Sequence, residues 1–319
     1  MYLKNTVSRC SVILLFAVAA IVLYMYYGID MNHFNYAMSL RIPKVLAIII
    51  GGVCIASTTV IFQTITHNRI LTPGVLGLDS MYVLIQTVIV FTLGSTSTLI
   101  VNKNINFIIN AVIMIIASML IYNIMFKRNK REIYFVVLSG MIFGTLFKSG
   151  TSFMHMVIDP NEYLALESSM IAGLNNINVD VVLITIVLLV AIVPFVYDDI
   201  KYLDVVSLGR ENAINLGVDY DRIVRKMFLV IGIMISISTA LIGPLTFLGL
   251  IVSNIAREVL KTYRHGYMIA GAIFISICML AGGQFMVQHI FVFETTLATI
   301  LNFVGGIYFI YILMKEKAL

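Results

Sequence analysis

The chain has 319 residues, of which 60% are hydrophobic and 12% are charged, and its formal net charge at pH 7 is +5. A soluble domain of this length carries roughly twice that charged fraction, so the composition excludes an ordinary soluble protein and indicates that lipid solvates most of the chain. The basic residues are spread along the sequence rather than gathered in one patch, which argues against nucleic-acid binding.

Ten apolar stretches follow one another along the chain. A helix that crosses the hydrocarbon core of a bilayer needs about 20 largely apolar residues. The stretches are 10–27, 45–65, 75–93, 105–126, 133–157, 179–197, 226–242, 245–255, 266–282 and 295–314. They predict an all-α integral membrane protein of about ten transmembrane helices in a single domain, 1–319. Stretch 245–255 is too short for a full span and is expected to be a half-helix, which leaves nine as the competing count.

The first stretch follows Lys4 and Arg9 and could imitate a signal peptide, but no small-residue cleavage site follows it. An uncleaved first helix is therefore expected. If that helix starts in the cytoplasm, most of the 21 Lys and Arg fall on the cytoplasmic side. Only Arg41, Lys44 and Lys103 fall on the outer side. This asymmetry fits the positive-inside rule, supports ten spans over nine, and predicts that both termini are cytoplasmic.

The segment between the second and third stretches is a polar cytoplasmic elbow, 63–74. It contains His67, which has no second histidine or carboxylate nearby, so a solvated loop residue is expected there rather than a metal ligand. In the fifth stretch, Lys148 is the only clear charge within a span. The near-absence of carboxylates from the spans argues against a proton-coupled transporter.

The longest cytoplasmic loop, 198–225, is the most polar part of the chain. Its segment 208–218 reads as a short amphipathic helix in which Ala213, Leu216 and Val218 offer apolar surface and Gly217 suits a left-handed C-cap. Two interpretations stay open: a docking surface for another protein, or a helix lying on the lipid headgroups. Further on, Gly243 and Pro244 precede a short apolar run, which predicts a broken helix of the kind that marks transport pathways.

The sequence contains no constellation typical of an enzyme. Lys148-Ser149 lacks the glycine that precedes the lysine of a phosphate-binding loop and lies within a span, so any ATPase must be another chain. There is no zinc-binding histidine pair and no nucleophile elbow. We therefore expect no catalytic residues, metal or cofactor.

Four motifs in order resemble the permease subunits of iron–siderophore and vitamin B12 ABC importers. They are Arg41-Ile42-Pro43-Lys44; Gln63, Asn68, Pro73-Gly74 and Leu76-Gly77; Leu208-Gly209, Glu211, Ala213 and Leu216-Gly217; and Gly243-Pro244, Phe247, Gly249-Leu250-Ile251 and Ala256-Arg257. The chain departs from the pattern at Ser253-Asn254, at Gly283 and Val287, and at 294–298. The family has an aspartate and an arginine where this chain has Gly283 and Val287. The loss of that arginine puts in doubt a third docking contact on the outer side, in addition to Arg41 and Lys44. The ending 302–308 is similar to catecholate-siderophore permeases.

The resemblance implies a permease fold of ten spans, a pore between two permease subunits, identical or different, and no covalent change to the substrate. It implies an ATPase-coupling site at Leu208, Gly209, Glu211, Ala213, Leu216 and Gly217, and docking of an extracytoplasmic binding protein at Arg41 and Lys44. Ser139, Gly140 and Gly144 in the fifth span are candidates for the translocation pathway, with helix packing as the alternative. The competing functions are an ion-driven secondary transporter of a metal or organic ion, and a membrane-embedded enzyme or signalling protein.

Overall fold

The computed structural model describes residues 2–29, 31–128, 133–170, 174 and 177–316. In this part of the chain every regular element is a helix. In chain order they are α1 (Tyr2–Tyr26), α2 (Phe34–Ile65), α3 (Leu78–Leu93), α4 (Thr98–Val101), α5 (Lys103–Arg128), α6 (Ile133–Val157), α7 (Pro160–Met170), α8 (Val179–Tyr197), α9 (Ile200–Val206), α10 (Arg210–Asn215), α11 (Tyr220–Ile242), α12 (Leu248–Leu260), α13 (His265–His289) and α14 (Leu297–Glu316). Three basic residues of the predicted charge asymmetry, Lys130, Arg131 and Lys317, lie outside the described residues.

Each of the ten predicted stretches corresponds to a helix. Within the described residues seven helices are long and apolar enough to cross a membrane, namely α1, α2, α5, α6, α8, α11 and α13. α3 and α14 are shorter apolar helices, and α12 is the predicted half-helix. The all-α multi-pass fold expected from the sequence is therefore confirmed.

α1, α2 and α11 each begin six or more residues before the stretch that the hydropathy pattern predicts. α2 begins at Phe34, and its first turns carry the polar residues Asn35, Ser39 and Arg41, so the hydropathy pattern does not include them in a span. α11 begins at Tyr220 because the Asp219 side chain caps it, accepting a hydrogen bond from the backbone N–H of Arg222. An N-cap carboxylate of this kind satisfies a donor that the helix itself leaves unpaired.

α2, α11 and α13 form the buried centre of the molecule, whereas α1, α6 and α8 lie at its periphery. α13 packs against α1, α2 and α12, and α11 packs against α2 and α5. α6 touches mainly α3 and the 3₁₀ turn Pro73–Leu76. One side of α6 is therefore left uncovered in the single chain.

Two interruptions of the helices reach membrane depth. Gly77, at the end of the 3₁₀ turn, has φ +80, and a Cβ there would lie 2.6 Å from the Cα of Gly144. Gly144 lies about 17 Å along α6 at 1.5 Å per residue, so the turn dips well into the bilayer. The second interruption separates Ile242, the end of α11, from Leu248, the start of α12. Non-helical backbone at this depth requires protein or a cavity around it.

Candidate functional site

The predicted amphipathic helix of the cytoplasmic loop is present as α10. It ends in a Schellman motif: the N–H of Gly217 donates to the carbonyl of Ile214 (2.9 Å), and that of Val218 donates to the carbonyl of Ala213 (3.0 Å). Gly217 has φ +80 and no neighbour within 4 Å of the position of a Cβ. Its glycine is therefore required by the backbone conformation and not by packing, as the sequence predicts.

The exposed apolar surface of this loop differs in part from the prediction. Leu208, Ile214 and Leu216 are 54%, 45% and 63% exposed. Ala213 is fully buried and Val218 is half-buried, so neither supplies the open surface expected of it. The helix turns Ala213 inward, and Ile214 takes its place on the outside. The result is a small, protruding apolar surface with the exposed Glu211 beside it.

Two ion pairs involve the loop, one on its exposed surface and one that joins it to α11. The guanidinium of Arg210 donates from Nε and Nη2 to the two carboxylate oxygens of Asp221, at 3.2 and 2.9 Å. Hydrogen bonding and the charge of Asp221 raise the pKa of Arg210. Lys226 on α11 pairs with Asp199, which precedes α9.

A further contact joins α9 to α13. Oδ1 of Asp204 accepts the backbone N–H of His265 at 2.8 Å and lies 2.6 Å from Nδ1 of the same residue. One carboxylate thus binds both the first N–H of α13 and the first side chain of that helix. The loop 198–225 is therefore connected directly to a central helix.

Two of the sequence motifs that lie far apart in the chain meet beneath the membrane helices. Gln63 donates from Nε2 to the carbonyl of Arg69 (2.7 Å), and Arg257 donates from Nη2 to Oε1 of Gln63 (3.3 Å). Asn254 donates to the same Arg69 carbonyl at 3.2 Å. Asn254 is one of the positions where the chain departs from the motif, and its amide makes a specific contact there.

A cavity of about 780 Å³ opens beside this cluster, between the elbow after α2 and the start of α13. Arg69, Arg257, Lys261, His67 and His265 are among its lining residues, so its wall is strongly basic. Partial burial lowers the pKa of His67. Within the described residues no group of three or more His, Cys, Asp or Glu side chains could hold a metal ion.

On the predicted outer side, Arg41 is buried and 8% exposed. Its Nη1 donates to the carbonyls of Tyr24, Met25 and Tyr27, at 2.8, 3.0 and 2.9 Å. A cation at the C-terminus of a helix satisfies carbonyls that lack intrahelical partners. Lys44 is half-buried. Docking of a binding protein at these two residues stays a prediction, and the structure gives Arg41 a second role that the sequence did not indicate.

The candidate pathway residues of α6 face the protein interior. A Cβ on Gly140 would lie 2.9 Å from the Cα of Leu76, and one on Gly144 would lie 3.0 Å from the Cα of Gly77. Ser139 is half-buried. These contacts are those of the helix-packing alternative, and a role in the pathway stays a prediction for all three residues.

Asp79 is a charged residue at membrane depth that the sequence interpretation overlooked, so Lys148 is not the only one. It stands in the first turn of α3, next to the turn that contacts the middle of α6. Its Oδ2 lies 3.4 Å from the hydroxyl of Thr246, in the interruption between α11 and α12. A cavity of about 20 Å³ adjoins it, lined in part by Thr59 and Thr239. The sequence alone could have identified this carboxylate, because Asp79 falls inside the predicted span 75–93.

Comparisons with known proteins agree with this architecture. A model of the FecCD transport family matches residues 7–315. The chain is 53% identical over 301 residues to the petrobactin import system permease protein YclO of Bacillus subtilis (strain 168), covering 94% of this chain and 95% of that protein. It is 32% identical over 291 residues to the petrobactin import system permease protein FatC of Bacillus anthracis, covering 91% and 82%. A solved structure described as an inward-facing conformation of a metal-chelate type ABC transporter superposes with a TM-score of 0.82 at 16% identity, covering 99% and 100%.

Proposed function

The chain belongs to the FecCD transport family, and from this membership we propose that it is the permease subunit of an ABC importer for a ferric siderophore. It would carry the chelate across the cell membrane while ATPase subunits on separate chains supply the energy. The observation that carries this proposal is the protruding apolar surface on the coupling loop, formed by Leu208, Ile214 and Leu216. An apolar surface presented by a small polar loop is a typical protein-docking site.

The class of substrate is proposed from the relatives and from one motif. YclO and FatC are named for the import of petrobactin, a catecholate-type siderophore, and the identity to YclO extends over nearly the whole chain. The C-terminal segment 302–308 is similar to catecholate-siderophore permeases. We propose that the substrate is a ferric siderophore with catecholate groups.

In the proposed mechanism the permease makes no covalent change to its substrate. Closure of the ATPases moves α10, and the Asp204–His265 contact passes this displacement to α13 in the centre of the molecule. The pathway between two permease subunits then opens on one side at a time. The energy arises from the different affinities of the two states for their partners.

The proposed assembly contains a second permease subunit, either identical or different, an ATPase dimer and an extracytoplasmic siderophore-binding protein. The whole chain, 1–319, forms one transmembrane domain with both termini in the cytoplasm. Of the two proposed docking residues, the half-buried Lys44 is the one open to a carboxylate of the binding protein, whereas Arg41 is buried against the end of α1. Exposed ion pairs contribute about 1 kcal/mol or less each, so such contacts would orient the binding protein more than hold it.

The coupling site is tested by co-purification of the permease with its ATPase from detergent. We expect the wild-type chain to retain the ATPase and the double variant Glu211→Arg plus Leu216→Asp to lose it, because a buried apolar contact becomes charged and a charge is reversed. The matched control is Glu167→Arg plus Leu164→Asp, the same pair of changes on exposed positions of α7, on the predicted outer side. Retention of the ATPase by the coupling variant, or its equal loss from the control, would refute the site.

One observation favours the competing function, an ion-driven secondary transporter. Asp79 is a carboxylate at membrane depth, and proton-coupled transporters use such groups as relays. The two functions are separated by uptake in cells whose ATPase carries an inactivated phosphate-binding lysine. Uptake that stops supports the ABC importer, whereas uptake that continues and collapses with a protonophore supports the ion-driven transporter.

A further inference from the structure

Lys148 lies in the membrane-spanning part of α6, away from both ends. At 1.5 Å per residue it is about 22 Å from the start of the helix and about 14 Å from its end. Its side chain is exposed. Among the described residues, none forms a hydrogen bond or ion pair with its ammonium group.

Lys148 belongs to a polar face of α6 that consists of Thr145, Lys148, Ser149 and Ser152, all exposed. These positions are three or four residues apart or adjacent, so they share one side of the helix. The edge of this face adjoins the packed side of the helix, since Lys148 lies four residues after Gly144, which contacts Gly77. All four polar side chains are nevertheless left exposed by the rest of the described chain.

Other peripheral helices show what a lipid-facing surface of this chain looks like. Between its first and last turns, α8 exposes Leu183, Val187, Val190, Val193 and Phe195, all of them apolar. The central part of α1 exposes residues of the same kind, among them Leu15, Phe16 and Val22. α6 also has the lowest mean hydropathy of the seven candidate spans. Its polar face is thus an exception within the same molecule.

A lysine directed into hydrocarbon is costly, and intramembrane cations almost always face a bundle interior or a water-filled cavity. Three neighbouring hydroxyls on the same face point to water as well, since apolar residues would serve better against lipid. The polar face of α6 therefore borders an aqueous space that a single chain does not enclose.

We propose that the polar face of α6 lines the translocation pathway between the two permease subunits and that Lys148 is the cation that binds an anionic ferric chelate during passage. This inference rests on the proposed function, and it adds a recognition residue to it. Catechol groups lose their protons when they bind Fe³⁺, so a ferric chelate built on them carries net negative charge. Its surface offers anionic oxygens that an ammonium group can contact.

The geometry suits transient binding. Lys148 is a single flexible point charge and not a rigid fork, so it can follow a bulky ligand through several positions. Conduction requires binding that is favourable enough for entry and weak enough for release. The flanking hydroxyls of Thr145, Ser149 and Ser152 can replace water around the chelate without holding it tightly.

The first test measures initial uptake of ⁵⁵Fe-petrobactin in cells that rely on this permease. We expect Lys148→Met to reduce uptake about tenfold, which corresponds to 1.4 kcal/mol of lost transition-state stabilisation. Lys148→Arg should restore most of it, because the charge returns. Lys103→Met, which removes one cation from the predicted outer side, is the matched control and should leave uptake unchanged.

Co-purification of the ATPase separates this inference from the proposed function. If Lys148→Met binds the ATPase and imports the chelate at the wild-type rate, the role of Lys148 is refuted while the importer stands. If the wild-type chain imports no ferric chelate and binds no ATPase, the proposed function itself fails and takes this inference with it. Equal losses in Lys148→Met and Lys148→Arg would also refute it, since they would indicate a structural requirement and not a charge.

A second test asks whether the polar face meets water. A cysteine introduced by Ser149→Cys should react with a membrane-impermeant, charged thiol reagent faster than one introduced on α8 by Val187→Cys, and added ferric petrobactin should slow the reaction. The wild-type chain, with Cys10, Cys54 and Cys278, gives the background rate. Equal, slow labelling at both positions would show that α6 faces lipid, and would overturn the inference.

Discussion

Arg41 shows how one side chain can serve a purpose that a sequence motif does not reveal. The motif places a cation on the outer side, where docking to a binding protein is the natural interpretation. In the structure its guanidinium is buried against three carbonyls at the end of α1. Since those carbonyls lie at the end of a helix, where intrahelical partners are lacking, the cation connects the end of α1 to α2.

Replacement of Arg41 should therefore affect stability more than docking. We expect Arg41→Met to lower the free energy of unfolding by about 2–3 kcal/mol, because several hydrogen bonds to a charged donor are lost and buried carbonyls stay unsatisfied. Thermal unfolding of the detergent-solubilised permease measures this.

Lys44→Met is the matched control for Arg41, because Lys44 lies one turn further along the same helix. It should leave stability nearly unchanged while it weakens association with the loaded binding protein. If Arg41→Met melts at the wild-type temperature but no longer binds that protein, the structural role assigned here is wrong.

The sequence predicted residues whose role is local and missed those whose role depends on distant parts of the chain. The left-handed Gly217 and the break at Gly243-Pro244 follow from backbone chemistry within a few residues. Ala213 was predicted to be exposed because a six-residue helix is too short for its apolar face to be read from periodicity. The partners of Arg41 are about 15 residues away, and Asp79 meets Thr246 across 167 positions; neither contact has a local signature.

At the scale of elements, the crossing of α6 over the 3₁₀ turn Pro73–Leu76 is the closest approach of two backbones described here. Gly77 and Gly144 allow it, because a Cβ on either residue would come within 3.0 Å or less of the Cα of the other. Small residues at such crossings are the usual means of close helix packing in membranes.

The variant Gly144→Ala tests this crossing. Because the opposing atoms belong to the backbone, they cannot move aside as a flexible side chain would, and we expect a loss of about 1–3 kcal/mol of stability. Gly282→Ala on α13 is the control, since a Cβ there has no neighbour within 4 Å and alanine favours a helix by about 0.5–1 kcal/mol. Thermal unfolding should separate the two variants; similar melting temperatures would contradict the close contact.

Most elements were predictable because a transmembrane helix is specified by one simple property, a long apolar run. The bounds of α6 and α8 match the predicted stretches 133–157 and 179–197. The prediction fails where helices extend beyond the hydrocarbon, as at the polar first turns of α2. It also assigns Pro73 and Gly74 to a polar elbow outside the bilayer, because a loop buried by protein has the same composition as one in water.

At the scale of the whole molecule, the loop 198–225 and the central helices form one connected body. α9 contacts α13 through Asp204 and His265, and α13 in turn packs on α1, α2 and α12. A displacement of α10 by an ATPase would reach the centre of the permease through this contact. In the proposed mechanism, coupling would thus depend on the route between elements as well as on the proposed docking surface.

Asp204→Asn should weaken this coupling while leaving the docking surface intact. The amide oxygen can still accept the N–H of His265, but the charge that interacts with Nδ1 is lost. We expect the reconstituted complex to bind its ATPase normally and to transport fewer chelates for each ATP hydrolysed.

Asp221→Asn is the control for Asp204, since it alters the exposed Arg210–Asp221 pair on the same loop, and exposed pairs contribute about 1 kcal/mol or less. Its transport per ATP should equal that of the wild-type chain. An unchanged ratio in Asp204→Asn would show that the displacement follows another route.

The contact of Gly77 with Gly144 has a mechanical consequence. Where side chains interdigitate, one helix cannot turn against another unless rotamers change. At this crossing two backbones meet with no side chain between them, so α6 can turn against the 3₁₀ turn without a change of rotamer. A small rotation of α6 about its own axis would therefore meet little resistance there, and under the proposed mechanism it would displace Lys148, one turn away, within the proposed pathway.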